Sequence, residues 1–254
     1  MYALKSVAVA FSGGVDSSFL LKVAHDMLGE NAIAITVAAP FFPMRETKEA
    51  EDFCMAEHIT QLRIDFDGLA IPEFRKNPPQ RCYLCKKALF GKIIALAGEH
   101  GIAQVCEGSN VDDTADYRPG LQAIAELGVQ SPLMACNLSK SEIRLLSREL
   151  GLASWQKPSC ACLASRFPYG EKITEKKLAM VATAEDFLHG LGFAQFRVRI
   201  HGETLARIEL PPADMPVLFA QREHIVAALK GFGFAYISLD LQGYRSGSMN
   251  EVIY

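Results

Sequence analysis

Half of this 254-residue chain is hydrophobic, yet it has no uninterrupted apolar run of bilayer length. A spanning helix needs about 20 predominantly apolar residues in a row, so no membrane partner is expected. The first ten residues lack the basic start and long apolar stretch of a secretion signal, which sets the expectation of a cytoplasmic protein. Nor is there an excess of positive charge. The formal net charge is −3, which argues against a nucleic-acid partner, because such surfaces are basic. Internal repeats and low-complexity tracts are absent. The six histidines are scattered without ligand spacing and read as structural or surface residues. Cysteine is not scarce. Seven are present, an odd number in a chain of cytosolic character, which points to thiols, a metal or catalysis rather than a disulfide framework.

What is present is organised around Phe11-Ser12-Gly13-Gly14-Val15-Asp16-Ser17-Ser18. Before it, Val7 to Ala10 reads as a buried strand. After it, Phe19-Leu20-Leu21-Lys22-Val23-Ala24 has helical apolar spacing. Strand, glycine turn and helix start together make an anion site. Gly13 and Gly14 permit positive φ and a close backbone approach. The helix start adds free N–H groups and its dipole, and Ser12, Ser17 and Ser18 add hydroxyls. Asp16 would repel a bare phosphate, so it reads as a magnesium ligand or an orienting group. No Gly-Lys-Ser/Thr closes the loop, so this is not a Walker loop. It resembles the PP-loop of ATP pyrophosphatases. That resemblance implies ATP cleaved between its α and β phosphates, with a substrate group adenylated and Ser12 to Ser18 holding the nucleotide.

Strands are expected over 31–37, 59–64 and 103–106, alternating with helices. The helix over 46–57 turns Ala50, Phe53 and Cys54 inward. Alternation of this kind makes a doubly wound parallel sheet. Its ligands lie beyond the carboxyl ends of the strands, where Thr36 and Val37 would offer backbone groups to adenine. The polar loop 107–113 should face the same site. A helix starting at Lys87 would leave Cys82 and Cys85 at a loop–helix junction. Ser139 and Glu142 fit a capping box. From Ile173 the pattern changes: Thr174 caps a helix to about residue 191, and strands over 196–200 and 204–210 flank a hairpin at His201-Gly202-Glu203. A helix over 215–229 and a strand over 236–241 follow. The expected fold is therefore α/β: a doubly wound parallel sheet, PP-loop/HUP-like, over 1–169, then a smaller C-terminal α+β domain over 170–254.

Cys82-x-x-Cys85 lies in a polar, proline-rich stretch, a poor place to bury thiols. The pair suits a shared metal or cluster but cannot fill a four-ligand site. Cys160 and Cys162 lie in a second loop beside Ser165 and Arg166. A structural zinc is the plainer alternative. Cys54, Cys106 and Cys136 read as small core hydrophobes. Arg197 and Arg199 share one strand face by period two. Either they are exposed charges paired with Glu203 or Glu209, or they receive a substrate phosphate with bidentate geometry.

Five motifs occur in order: Ser-Gly-Gly-Val-Asp-Ser; Asp116-Tyr117-Arg118-Pro119-Gly120-Leu121; Ser165-Arg166-Phe167-Pro168-Tyr169-Gly170; Arg197-Val198-Arg199; and Leu239-Asp240-Leu241-Gln242-Gly243-Tyr244-Arg245-Ser246-Gly247-Ser248-Met249-Asn250. Over nearly the whole chain this set resembles the LarE family of ATP-dependent sulfur transferases. The resemblance implies that ATP, with Mg2+, adenylates a carboxylate of pyridinium-3,5-biscarboxylic acid mononucleotide. Sulfur then replaces AMP, giving a thiocarboxylate for the nickel-pincer nucleotide. It also implies substrate contacts from Ser165, Arg166, Arg197 and Arg199, and places Glu185 near them. Lys86 would stabilise charge during transfer, with Asp16, Cys162 and Glu185 as the other catalytic groups. One subtype sacrifices a cysteine, and that position aligns here with Ala161. Another holds a 4Fe–4S cluster on three cysteines, with hydrosulfide on the open iron. The expectation here is the cluster subtype, with Cys82, Cys85 and Cys162 as ligands, Cys160 as the alternative third, sulfide or another sulfur donor as partner, and a homo-oligomeric state. The competing readings are the sacrificial reaction, a PP-loop amidase or tRNA-modifying enzyme, and a nucleotide-sensing or zinc-stabilised binding domain. The tRNA reading would favour a conspicuously basic C-terminal domain, which this chain lacks.

Overall fold

Val7, Ala8 and Val9 are fully buried, as a strand covered on both faces must be. They form the middle of a parallel sheet in a computed structural model that describes residues 4–115, 118–159 and 161–251. The chain divides into two compact units, residues 1–68 with 80–160 and residues 69–79 with 161–254. In chain order, unit 1 begins with β1 (Val7–Ala10), α1 (Val15–Leu28), β2 (Ala32–Ala38), α2 (Met44–Ala56) and β3 (Gln61–Asp65). Unit 2 then receives the short α3 (Pro72–Arg75), and the chain returns to unit 1 with α4 (Arg81–Glu99), β4 (Val105–Cys106), α5 (Pro119–Glu126), α6 (Pro132–Ala135) and α7 (Lys140–Glu149). Unit 2 is completed by α8 (Glu175–Gly190), β5 (Arg197–His201), β6 (Leu205–Glu209), α9 (Met215–Ala220), α10 (Arg222–Gly231) and β7 (Tyr236–Leu239).

The sheet of unit 1 runs β3-β2-β1-β4, all parallel. The chain leaves β1 toward β2 on one side and later adds β4 on the other. This is the switch point where open α/β sheets hold ligands. Phe19, Leu20, Leu21 and Ala24 of α1, with Ala50 and Cys54 of α2, pack against the buried strands. Unit 2 has a separate three-stranded mixed sheet, β5-β6-β7, with β5 antiparallel and β7 parallel to β6. Gly202 takes φ +59° in the hairpin, and the buried face of α8 packs on β5. The fold is thus α/β with a parallel central sheet and a separate smaller mixed sheet.

Three local expectations are corrected. α4 starts at Arg81, not Lys87, so Cys82 and Cys85 lie in its first turns. Pro78 and Pro79 end the preceding segment, Gln80 takes the N-cap place, and the helix begins at once. The helix expected over 215–229 is two helices, because Gln221 leaves helical geometry at φ −100° and ψ 11°. Cys136 is exposed rather than core, since it follows the short α6 and precedes Asn137 in a left-handed turn.

Residues 69–79 belong to unit 2 through backbone and side-chain bonds. The buried Asn77 amide donates to the carbonyls of Phe167 (3.1 Å) and Pro168 (2.6 Å), and Ile173 N–H donates to Arg75 (2.9 Å). In unit 1, Ser139 Oγ accepts from the Glu142 N–H, and the Glu142 carboxylate accepts from the Ser139 N–H at 2.8 Å, a complete capping box. Ser139→Ala should therefore cost about 1 kcal/mol, read as a lower chemical-denaturation midpoint. An unchanged midpoint would show that the box does not hold α7.

Candidate functional site

Only one of the two loop glycines uses its freedom. Gly13 has φ +71°, and a Cβ there would come within 3.3 Å of Ala50 Cβ on α2. Gly14 is an extended N-cap at φ −79°. Ser12 and Ser17 Oγ lie 3.0 Å apart, and Ser17 Oγ donates to Gly14 O at 3.1 Å. Ser17 and Ser18 are buried and Ser12 is exposed. The loop after β4 closes on this turn: a Cβ at Gly108 would stand 3.0 Å from Ser17 N and 3.2 Å from Asp16 Cβ.

Asp16 does not stand alone. Asn110 Nδ2 donates to its Oδ1 at 3.2 Å, and Lys140 Nζ ion-pairs with its Oδ2. Lys140 is the first residue of α7, and its N–H donates to Asp112 Oδ2 at 2.8 Å. Lys157 Nζ donates to Gly13 O at 3.0 Å and pairs with Glu46 at 2.6 Å and with Glu49. Burial lowers the Lys157 pKa, but its hydrogen bonds and charge contacts with Glu46 and Glu49 outweigh that and hold it above the ordinary lysine value. Buried Glu107 accepts from Ser109 N (3.1 Å), Ser109 Oγ (2.7 Å) and Ser131 Oγ (2.5 Å), and Lys86 Nζ lies 4.0 Å from its Oε2.

A cavity of about 620 Å³ opens beyond the carboxyl ends of β2 and β3, with Ala38, Ala39, Phe42 and Met44 as apolar walls and Arg63 and Asp65 at the rim. Thr36 and Val37 lie further back. They pair with Arg63 and Ile64 in the sheet, and buried Thr36 accepts from Gln61 Nε2 at 2.7 Å.

Unit 2 carries a buried charge network. Arg166, 1% exposed, makes a bidentate pair with Glu185 at 2.8 Å on both arms. Its Nη1 also donates to Ser165 Oγ (2.8 Å) and to the Ala161 and Cys162 carbonyls (2.9 and 3.3 Å). Glu185 further accepts from Val198 N–H at 2.9 Å. Burial alone would raise the Glu185 pKa. The Arg166 charge and hydrogen bonds, the Val198 N–H and the Arg197 charge hold it below the usual carboxylate value. Arg199 binds Glu209 through Nε and Nη2 (3.0 and 2.8 Å), the Ser165 carbonyl (2.9 Å) and Ser248 Oγ (3.0 Å). Arg197 lies 5.1 Å from the Tyr244 ring. Both strand arginines are buried, and Glu203 pairs with Lys177 instead.

Comparison with known proteins places this architecture. No protein-family model matches the chain. An uncharacterized protein of Synechocystis is 44% identical over 98% of this chain and 94% of its own length. The pyridinium-3,5-bisthiocarboxylic acid mononucleotide synthase of Lactiplantibacillus plantarum is 37% identical over 98% of this chain and 91% of its own. The chain belongs to the LarE family. An uncharacterized protein of Methanocaldococcus jannaschii is 28% identical over 95% and 92%.

In this LarE chain the cysteines have different settings. Burial pushes the Cys54 thiol up to about 12 and the Cys106 thiol up to about 11, so neither supplies a thiolate at neutral pH. Cys82 is exposed and Cys85 half-buried, one turn apart on α4. Cys162 is half-buried in unit 2, and Cys160, like Asp116 and Tyr117, lies outside the described residues. Among the described residues no group of three or more His, Cys, Asp or Glu side chains is gathered to hold a metal ion. Also among them, no helix is long and apolar enough to cross a membrane.

Within unit 1 the structure gathers Ser12 to Ser18 with Asn110, Lys140 and Lys157, and Lys86 with Glu107. Within unit 2 it gathers Ser165, Arg166, Glu185, Arg199 and the Cys162 carbonyl. Sequence reasoning missed Lys140, Lys157 and Ser248; it named Glu209 as a partner of the strand arginines, but at an exposed surface rather than in the buried place it takes. The capping box at Ser139 was the one local signal near Lys140.

Arg166→Ala would leave Glu185 buried without its charge partner, a loss of about 3–5 kcal/mol. Because the folded Glu185 pKa is depressed, its contribution is complete above the ordinary carboxylate value of about 4.3 and is lost as pH falls through the lower folded value. Denaturation measured against pH should show a shallower acid-side decline in Glu185→Gln than in the wild type. Equal slopes would mean that Glu185 is not held ionised.

Proposed function

We propose that this LarE protein is an ATP-dependent sulfur transferase acting on pyridinium-3,5-biscarboxylic acid mononucleotide. The observation that carries this reading is its kinship over nearly the full length to the Lactiplantibacillus synthase. The turn at Gly13, opening α1 at the switch point, supports it, because such a site suits pyrophosphate. In the first step a substrate carboxylate oxygen attacks the α-phosphorus of ATP and pyrophosphate leaves, forming an acyl-adenylate. In the second, a sulfur nucleophile attacks that acyl carbon and AMP leaves, giving the thiocarboxylate. Ser12 to Ser18 bind the departing phosphates, and Mg2+ accompanies the nucleotide. The 620 Å³ cavity takes adenine. Lys86, oriented by Glu107, offsets charge developing in the transfer. Ser165, Arg166, Arg197 and Arg199 serve the mononucleotide. Glu185 and Glu209 hold two of those guanidiniums in place.

The proposed sulfur route uses Cys82 and Cys85 with Cys162, or Cys160 in its place, as ligands of a 4Fe–4S cluster. When bound, such a cluster would supply exchangeable sulfide. The protein is further proposed to be a cytoplasmic homo-oligomer without a nucleic-acid partner.

Purified protein given ATP, the biscarboxylate mononucleotide and sulfide should release AMP and pyrophosphate in equal amounts. Asp16→Ala should abolish that release while keeping the circular-dichroism spectrum. Undiminished AMP in Asp16→Ala would sink the assignment.

The sulfur route has its own measurement. After anaerobic reconstitution with iron and sulfide, the wild type should turn over repeatedly, and Cys85→Ala and Cys162→Ala should not. A sacrificed cysteine would instead appear in the mass spectrum as a loss of about 34 Da, the mass of hydrogen sulfide, off the usual oxidation ladder. That loss, with transfer intact when Cys82 and Cys85 are both replaced, would establish the sacrificial mechanism.

A further inference from the structure

The loop Phe11 to Ser18 lacks the lysine that closes a Walker loop, yet two ammonium groups reach it from distant parts of unit 1. Lys157 is engaged as a brace: its Nζ joins Gly13 O to Glu46 and Glu49, tying the loop to α2. Lys140 is placed differently. It begins α7, with its backbone held by the capping box and by Asp112, so the helix does not depend on where its side chain goes. Its ammonium pairs with Asp16 Oδ2, and both side chains keep partial exposure, 30% and 22%.

We infer that Lys140 is the exchangeable cation of the pyrophosphate site, and that Asp16 is its resting counter-ion. This rests on the reading that the loop binds pyrophosphate. A carboxylate in the first turn of α1 suits the helix dipole but repels phosphate. Lys140 cancels that repulsion while the site is empty, and Asn110 holds the other carboxylate oxygen. A divalent cation and the Lys140 ammonium compete for the same Oδ2. When Lys140 gives up Asp16 its charge is released beside the loop, where it takes a phosphate oxygen by a charge-assisted hydrogen bond. The lysine missing from the loop is thereby supplied from α7. The resting pair also keeps the site electrically balanced until a metal and a phosphate arrive together.

The test reads binding directly, on the full chain, with Mn2+ alone and with inorganic pyrophosphate alone. Lys140→Ala and the isosteric Lys140→Gln should each bind metal-free pyrophosphate roughly ten- to hundredfold more weakly than wild type, the loss of one charged hydrogen bond. The same variants should bind Mn2+ more tightly by about tenfold, measured by electron paramagnetic resonance, because a competing cation has left the carboxylate. Lys140→Arg should restore pyrophosphate binding. A merely structural ion pair would not move the two affinities in opposite directions. Pyrophosphate affinity unchanged in both neutral variants, or Mn2+ affinity unchanged or weakened, would overturn the inference. Wild-type AMP release separates the two levels: its absence would remove the sulfur-transferase reading, while the opposed affinity shifts would still establish the exchange.

Discussion

Asp16 sits in the first turn of α1, at the positive end of the helix dipole, where Asn110 and Lys140 reach it from distant parts of the chain. Within unit 1 the loop after β4 and the start of α7 both close on this carboxylate. The loop after β4 comes close enough to the turn for Asn110 to reach Oδ1, which requires Gly108 to have no side chain. α7 must begin where it does for Lys140 to reach Oδ2, and the Ser139–Glu142 box sets that beginning. The switch between β1 and β4 brings the two loops to one end of the sheet.

Unit 2 meets the same kind of problem in a drier setting. Arg166, Glu185, Arg199 and Glu209 are all buried. Isolated charges there would be costly, so each is matched geometrically: Arg166 bidentate to both oxygens of Glu185, and Arg199 through two nitrogens to one oxygen, Oε2, of Glu209. Pairs of this kind add little net stability over apolar packing, while losing one member is expensive. Their effect is to hold guanidinium planes in one orientation. The glycine- and serine-rich stretch near the chain end joins this network. Ser248 Oγ donates to Glu209 and accepts from Arg199, and Asn250 accepts from the Tyr169 hydroxyl at 2.9 Å.

Where a residue's role depends on near neighbours in sequence, the reading was direct. The glycine turn after an apolar run, the capping box at Ser139, the cap at Thr174 and the hairpin at Gly202 all involve contacts within a few residues. Their chemistry is written in the local pattern. The start of α4 was misplaced because Cys82 and Cys85 sit in its polar first turns, where hydrophobic periodicity carries no signal. The split at Gln221 was missed for a related reason: apolar spacing resumes across it, and a single residue outside helical geometry leaves no mark in the pattern.

The sequence by itself determined the parallel α/β sheet, the glycine turn and its place after β1, because these follow from periodicities and from glycine's conformational freedom. It also placed Asp16 in a spot where something had to neutralise it. Only the tertiary structure decided what did. Lys140 lies 124 residues from Asp16, and Lys157 lies 144 residues from Gly13. It likewise decided that Arg199 is a buried side chain paired with Glu209 rather than a surface charge, since the same period-two strand is compatible with either face packing inward. Contacts at that separation arise from how helices stack on a sheet, and no local rule of spacing encodes which distant lysine the stacking delivers.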